Sequence, residues 1–446
     1  MKLDKIKLSD NFNYLKLIQF TIPTIAMLIF TSIYSIVDGF FVSNFVGKTE
    51  FAAVNLVFPC LMVLGAFGFM FGAGGSAIVA KTLGEKDTQR ANKYFSMIVY
   101  SAILLAIFFT VFGWFLIEPF VSKFGASGEL LLNSVLYGRI LILSLTPFIL
   151  QNLFQILFIT AGKPDLGLKI TIFAGCTNMV LDYIFIAHFG LGLKGAAYAT
   201  VISQIFGGLI PLIYFTNNNS SPLRLTKTGI DLNILTKAAI NGSSEMVTNI
   251  SMSLINILYM WQLLRMAGEN GIAAYGVIMY LEFIFSGIYL GFSTGSAPVV
   301  SYNFGAKNCA ELKNLFTKSL VIISVLAIAL TGLAEVFAYP LSGIFVGYDN
   351  SLHAMTSHGF KLYAVAFLIM GFNIYASAFY TALNNGIISA IISFSRTFVF
   401  QVASVLILPI FFDINGIWCA IVVSELITLV LSAGFLINTR KRYGYI

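Results

Sequence analysis

The chain has 446 residues, of which 58% are hydrophobic and 10% charged, where a soluble domain carries about 25% charged residues. With a mean hydropathy of +0.89, an ordinary soluble fold is excluded and a polytopic membrane protein is expected. The net charge of +7 does not point to nucleic acid, because the basic residues are scattered through short loops between apolar stretches, as a cytoplasmic positive bias would place them.

Segments long enough to cross about 30 Å of hydrocarbon fall near 15–43, 52–80, 94–117, 131–160, 168–188, 195–216, 236–264, 272–300, 316–338, 356–383, 388–411 and 416–437. Twelve spans put both termini on one side. Eighteen Lys and Arg lie on that side, and five (Lys48, Lys123, Lys194, Arg265, Lys361) on the other. The termini are therefore expected in the cytoplasm of a multi-pass protein of the cell (plasma, inner) membrane.

Acids inside such spans are costly, roughly +2.5 to +3.5 kcal/mol at the bilayer centre, and usually functional. The first span carries Tyr34 and Asp38, four apart and so on one helical face. The fifth carries Asn178 and Asp182 with the same spacing. Between the fifth and sixth spans, Gly190 to Gly195 satisfies GxGxxG, but it joins two membrane spans and lacks the acidic residue about 20 further on, so it reads as a turn. The seventh span holds Glu245, Met260 and Trp261, and the eighth Glu282, Phe283 and Phe285. These suggest an acidic, aromatic and soft lining for a cationic substrate. Arg139, Arg396 and Glu425 also fall in spans, and the arginines are expected to be ion-paired within their halves or to snorkel.

The chain repeats itself at a shift of 221 residues. Gly74, Gly84, Lys86, Pro119, Gly138, Asn152 and Ser203 fall on Gly295, Gly305, Lys307, Pro340, Gly359, Asn373 and Ser424. Six spans per half give both halves the same topology, related by an axis along the membrane normal. The expected fold is an all-α integral membrane protein of twelve transmembrane helices in two six-helix lobes. The amino-terminal lobe is 1–215, a cytoplasmic linker 216–234, and the carboxy-terminal lobe 235–446. Two such lobes around a cleft suit an alternating-access transporter.

The repeat fails where the chemistry sits. Asp38 maps to Tyr259, Asn178 to Val399, Asp182 to Ala403 and Thr200 to Ile421; Glu245 maps to Thr24 and Glu282 to Leu61. A structural need common to both lobes would have kept these groups. Carboxylates with an Asn amide and a Thr hydroxyl suit a proton or a hard cation such as sodium, and not zinc or copper. Asp38, Asn178, Asp182 and Thr200 would be the metal ligands if sodium is the coupling ion. No other cofactor is expected, and no catalytic set or Walker motif stands out, so the chain does not read as an enzyme. The four cysteines show no CxxC spacing.

Pro23, the run Tyr34-Ser-Ile-Val-Asp38-Gly-Phe-Phe-Val42, Thr160-Ala-Gly-Lys-Pro-Asp165, Asn178 to Asp182 and Gly192 to Thr200 together resemble the multidrug and toxic compound extrusion (MATE) transporters, over essentially the whole chain. The bacterial branch with acids in spans one and five, including pumps of Gram-positive bacteria, is the most similar. The resemblance implies export of amphipathic organic cations and drugs in exchange for protons or sodium. It carries the cation site onto Asp38, Asn152, Asn178, Asp182 and Thr200, and a drug-handling acid onto Glu282. The family's proline early in span seven is absent here, where the chain reads Ile240-Asn241-Gly242. The expected partners are small cationic or amphipathic molecules and membrane lipids, for a monomer. A flippase for a lipid-linked intermediate is the alternative; it would want cavity-facing Arg or Lys for pyrophosphate, and only Arg139 and Arg396 lie in spans.

Overall fold

A computed structural model describes residues 6–123 and 126–445, and within them the secondary structure is helical throughout. In chain order the helices are α1 (Tyr14–Phe45), α2 (Lys48–Gly84), α3 (Thr88–Lys123), α4 (Gly128–Leu143), α5 (Leu145–Thr160), α6 (Pro164–Asp182), α7 (Gly192–Thr216), α8 (Leu232–Gly305), α9 (Cys309–Val346), α10 (Asn350–Ala364), α11 (Phe367–Ala382), α12 (Gly386–Phe394) and α13 (Gln401–Tyr443). Two short π-helical segments, Tyr183–His188 and Ser395–Phe400, follow α6 and α12.

Eight continuous helical stretches among the described residues are long and apolar enough to cross a membrane. Two of these hold two crossings each. The 74-residue α8 turns at Gly268 (φ 61°), and the stretch Gly386–Tyr443 turns at Asp413 (φ 48°). Two bent pairs, α4 with α5 (58°) and α10 with α11 (49°), complete the twelve expected spans. Both bends fall at repeat-equivalent positions, Ser144 and Val365, although Pro147 follows only the first. The bend is thus a property of the fold, to which the proline conforms.

Local chemistry sets the helix starts. Asn13, Asp231, Asn308 and Asp349 accept backbone N–H groups of their own first turns, as N-caps do, and Pro164 opens α6 where its missing N–H costs nothing.

The two halves meet through backbone. A Cβ on Gly84 would overlap the carbonyl oxygen of Tyr302, and one on Gly305 would overlap that of Lys81. Lys81 and Tyr302 are themselves repeat equivalents, so the contact is reciprocal about the pseudo-twofold axis. Gly74 and Gly242 likewise lie against Ala238 and Met70. These contacts close the bundle on the side that carries both chain ends, since the segment before α1 and the tail after α13 both dock at the start of α9. Phe12 N–H donates to Glu311 Oε1 (2.9 Å), Asn314 and Lys318 donate to the Phe12 carbonyl (2.9 and 2.7 Å), and Tyr445 packs on Phe316.

Core membership crosses the boundary. Leu8, Phe12, Leu17 and Phe20 are buried in the apolar core of the second half, while Ala238 at the start of α8 is buried in that of the first. The outer half of α1 instead faces α6, where Phe30 and Tyr34 lie over Gly175. One helix therefore packs on both halves, with Pro23 between the two contacts.

Candidate cation and substrate sites

Gly175 brings α1 and α6 into register. A Cβ there would stand 3.0 Å from Tyr34 Cδ1, so the glycine lets the Tyr34/Asp38 face of α1 lie on the Asn178/Asp182 face of α6. Asp38 and Asp182 interact directly across this contact. Asp182 is the last residue of α6, at the point where the helix loosens into π turns, a distortion common at functional sites.

Asp182 is fully buried and Asn178 is 2% exposed. Both Asp182 carboxylate oxygens, Asp38 Oδ1 and Asn178 Nδ2 are buried, and apart from the contact between the two aspartates they have no hydrogen-bond partner among the described residues. Buried polar atoms are normally satisfied, and an unpaired buried charge is far more costly than an unpaired amide. Three carboxylate oxygens therefore lie at one helix crossing without an outside donor, a donor set whose chemistry fits a proton or a hard cation such as sodium.

Tyr137 of α4 completes the surroundings, buried and within electrostatic reach of both aspartates. Sequence reasoning did not single it out, although the repeat fails there too, with His358 as its equivalent. The other residues assigned to this site are less central. Asn152 is buried in α5, and its amide reaches only toward the Gly65 carbonyl (3.5 Å). Thr200 is half-buried in α7.

The second half is built differently. Arg396, in the π segment after α12, donates from Nε to Glu425 Oε1 (2.7 Å), and Asn373 Nδ2 donates to Glu425 Oε2 (2.7 Å) and to the Glu425 carbonyl (2.9 Å). Glu282, 5% exposed, keeps Oε2 unpartnered among the described residues. The stacked rings of Tyr259 and Tyr275, centroids 4.8 Å apart, lie within its electrostatic reach. Glu245 lines a cavity between the halves with Ser76, Ser301 and Thr381. Met260 and Trp261 are 43% and 48% exposed, with the Arg265 guanidinium over the Trp261 ring; the buried neighbour Tyr259 is the residue of that turn that faces Glu282. Arg139 pairs with Glu118 (3.0 Å). Gly190 and Gly192 have positive φ, so the GxGxxG stretch is a turn.

The MatE family model matches the chain twice, over residues 23–184 and 246–407. The chain belongs to the MatE family. The double match places one copy of the family unit in each half. The chain is 26% identical over 411 residues to the multidrug export protein MepA of Staphylococcus saprophyticus, covering 90% of this chain and 87% of that one. It is 24% identical to MepA of Staphylococcus haemolyticus, covering 96% and 94%. Among solved structures, an outward-facing multidrug resistance MATE transporter of the MOP superfamily superposes with a TM-score of 0.91 at 22% identity, covering 99% of this chain and all of that one. A MOP superfamily transporter from Pyrococcus furiosus, described as having a binding pocket of reverse polarity, superposes at 0.88 with 22% identity, covering 97% of each. The twelve-span, two-lobe MatE fold expected from the sequence is thus the observed one. This MatE chain is a multi-pass membrane transporter and not an enzyme.

Proposed function

We propose that this MatE chain exports amphipathic organic cations in exchange for protons or sodium ions, by alternating access. One observation carries the reading: Asp38 and Asp182, two intramembrane carboxyl groups from different helices, meet with three of their four oxygens buried and given no donor by any other described residue. Two ionised carboxylates this close repel strongly in low dielectric, so a proton or a small cation stabilises the contact and its departure loosens it. Because α1 packs on one lobe at its start and on the other at Asp38, filling the site bears on how the lobes meet. The multidrug export function of the MepA relatives supports the choice of cargo.

Glu282, Glu245, the aromatic residues Tyr34 and Trp261 and the thioether of Met260 are assigned to the substrate, as negative and polarisable groups that suit a greasy cation. The closed side is the cytoplasmic one by the positive-inside rule, so on this reading both termini lie in the cytoplasm and the cleft opens to the outside. The protein acts as a monomer. A membrane potential supplies about 2.3 kcal/mol per charge per 100 mV and a pH gradient about 1.36 kcal/mol per unit, either enough for about tenfold accumulation. The flippase alternative is disfavoured because Arg396 is held by Glu425 in a buried pair and Arg139 faces Glu118, so the arginines of the spans form no cluster of free cations for a pyrophosphate. Ethidium efflux from everted vesicles tests the proposal: gradient-driven efflux that survives Asp38→Asn together with Asp182→Asn would reject the site.

A further inference from the structure

The Arg396–Glu425 pair has no counterpart in the other lobe. Arg396 maps to Gly175 and Glu425 to Gln204, and Gln204 does its structural work neutrally, its Oε1 accepting the Ser144 hydroxyl at 2.7 Å. The fold therefore does not need a charge pair at this place. The pair is also deeply set, with the Glu425 side chain 3% exposed and that of Arg396 15%. Asn373 clamps Glu425 from its other oxygen. Arg396 further stands within electrostatic reach of Glu245 and Glu282, so one fixed cation confronts three acids of the lobe's spans.

We propose that Arg396 is a tethered counter-ion that sets the charge preference of the substrate cleft, by withdrawing Glu425 from the carboxylates available to an organic cation. With Arg396 in place the cleft offers Glu282 and Glu245, and Glu425 is silent. Without it Glu425 keeps only Asn373, and at a pH high enough to keep it ionised the cleft gains one unit of negative charge. That charge acts on every positive charge of a bound molecule, so a dication gains twice, on a logarithmic scale, what a monocation gains. Arg396 is thus a specificity residue and need not touch the substrate.

This inference rests on the organic-cation reading above, and a matched ligand pair separates the two. Binding of N-decylquinolinium (one charge) and 1,10-bis(quinolinium)decane (two charges) is measured on the purified full-length protein, wild type and variants. Wild-type protein that binds neither ligand rejects the cation reading itself. Given wild-type binding, Arg396→Met should raise the dication-to-monocation affinity ratio at least fivefold. The neutral pair R396M/E425Q should leave the ratio within twofold of wild type, and Arg396→Lys should do the same. Should R396M fail to fold, Glu425→Gln provides the mirror test, since it leaves Arg396 unpaired and should lower the ratio at least fivefold. A ratio unchanged in R396M or in E425Q, or one that shifts as far in R396M/E425Q as in R396M, would overturn the proposal.

Discussion

Asp38 of α1 and Asp182 of α6 face each other across a helix crossing that Gly175 makes possible, and apart from Asp38 neither Asp182 oxygen has a hydrogen-bond partner among the described residues. A structural carboxyl group is normally given donors. On the proposed function the pair is arranged instead for an exchangeable partner, on a helix that both lobes share.

Neutralising either aspartate should uncouple transport. Asp38→Asn or Asp182→Asn is expected to lower gradient-driven ethidium efflux at least tenfold while substrate binding to Glu282 persists. Efflux rates in vesicles and equilibrium binding on the same preparation check this, and retained efflux in both variants would remove the pair from the mechanism.

The lobe contact should tolerate no side chain at Gly84 or Gly305. Valine at either position meets a backbone carbonyl that cannot rotate away, so the terminal side cannot close. Gly84→Val should cut transport more than tenfold and expose a cysteine placed at Ser301 to a reagent added from the inner side. Wild-type transport by this variant would show that the contact need not form.

The strap before α1 should contribute stability. Phe12 is buried and its backbone is held by Glu311, Asn314 and Lys318. Phe12→Ala removes a buried ring, a change of about 3–5 kcal/mol in cores. Glu311→Ala leaves the Phe12 N–H unpaired, at about 1–3 kcal/mol. Thermal melting in detergent should show both losses, the first larger; unchanged melting in both would mean that the strap is not held.

Much of this was legible in the residues. Asp182 could be singled out because its repeat equivalent is Ala403, and the repeat paired Gly84 with Gly305 without showing that the two stretches touch. The bend at Val365 was not legible, since no proline marks it and only its equivalence to Ser144 explains it. Tyr137 escaped because a buried tyrosine in an apolar span looks like packing. The strap escaped because residues 6–13 read as a polar tail, and its apolar anchors Leu8 and Phe12 find their core almost 300 positions away in sequence. Glu245 was legible as an intramembrane acid, but its place on a cavity between the lobes follows from tertiary packing alone.

The most direct test of the account is substrate-induced ion flux in proteoliposomes, with sodium and pH gradients varied separately. The account predicts that adding an organic cation on one side drives one of these ions the opposite way, and that Asp38→Asn with Asp182→Asn abolishes this flux. Substrate movement that drives neither ion, or ion exchange that persists in the double variant, would contradict it.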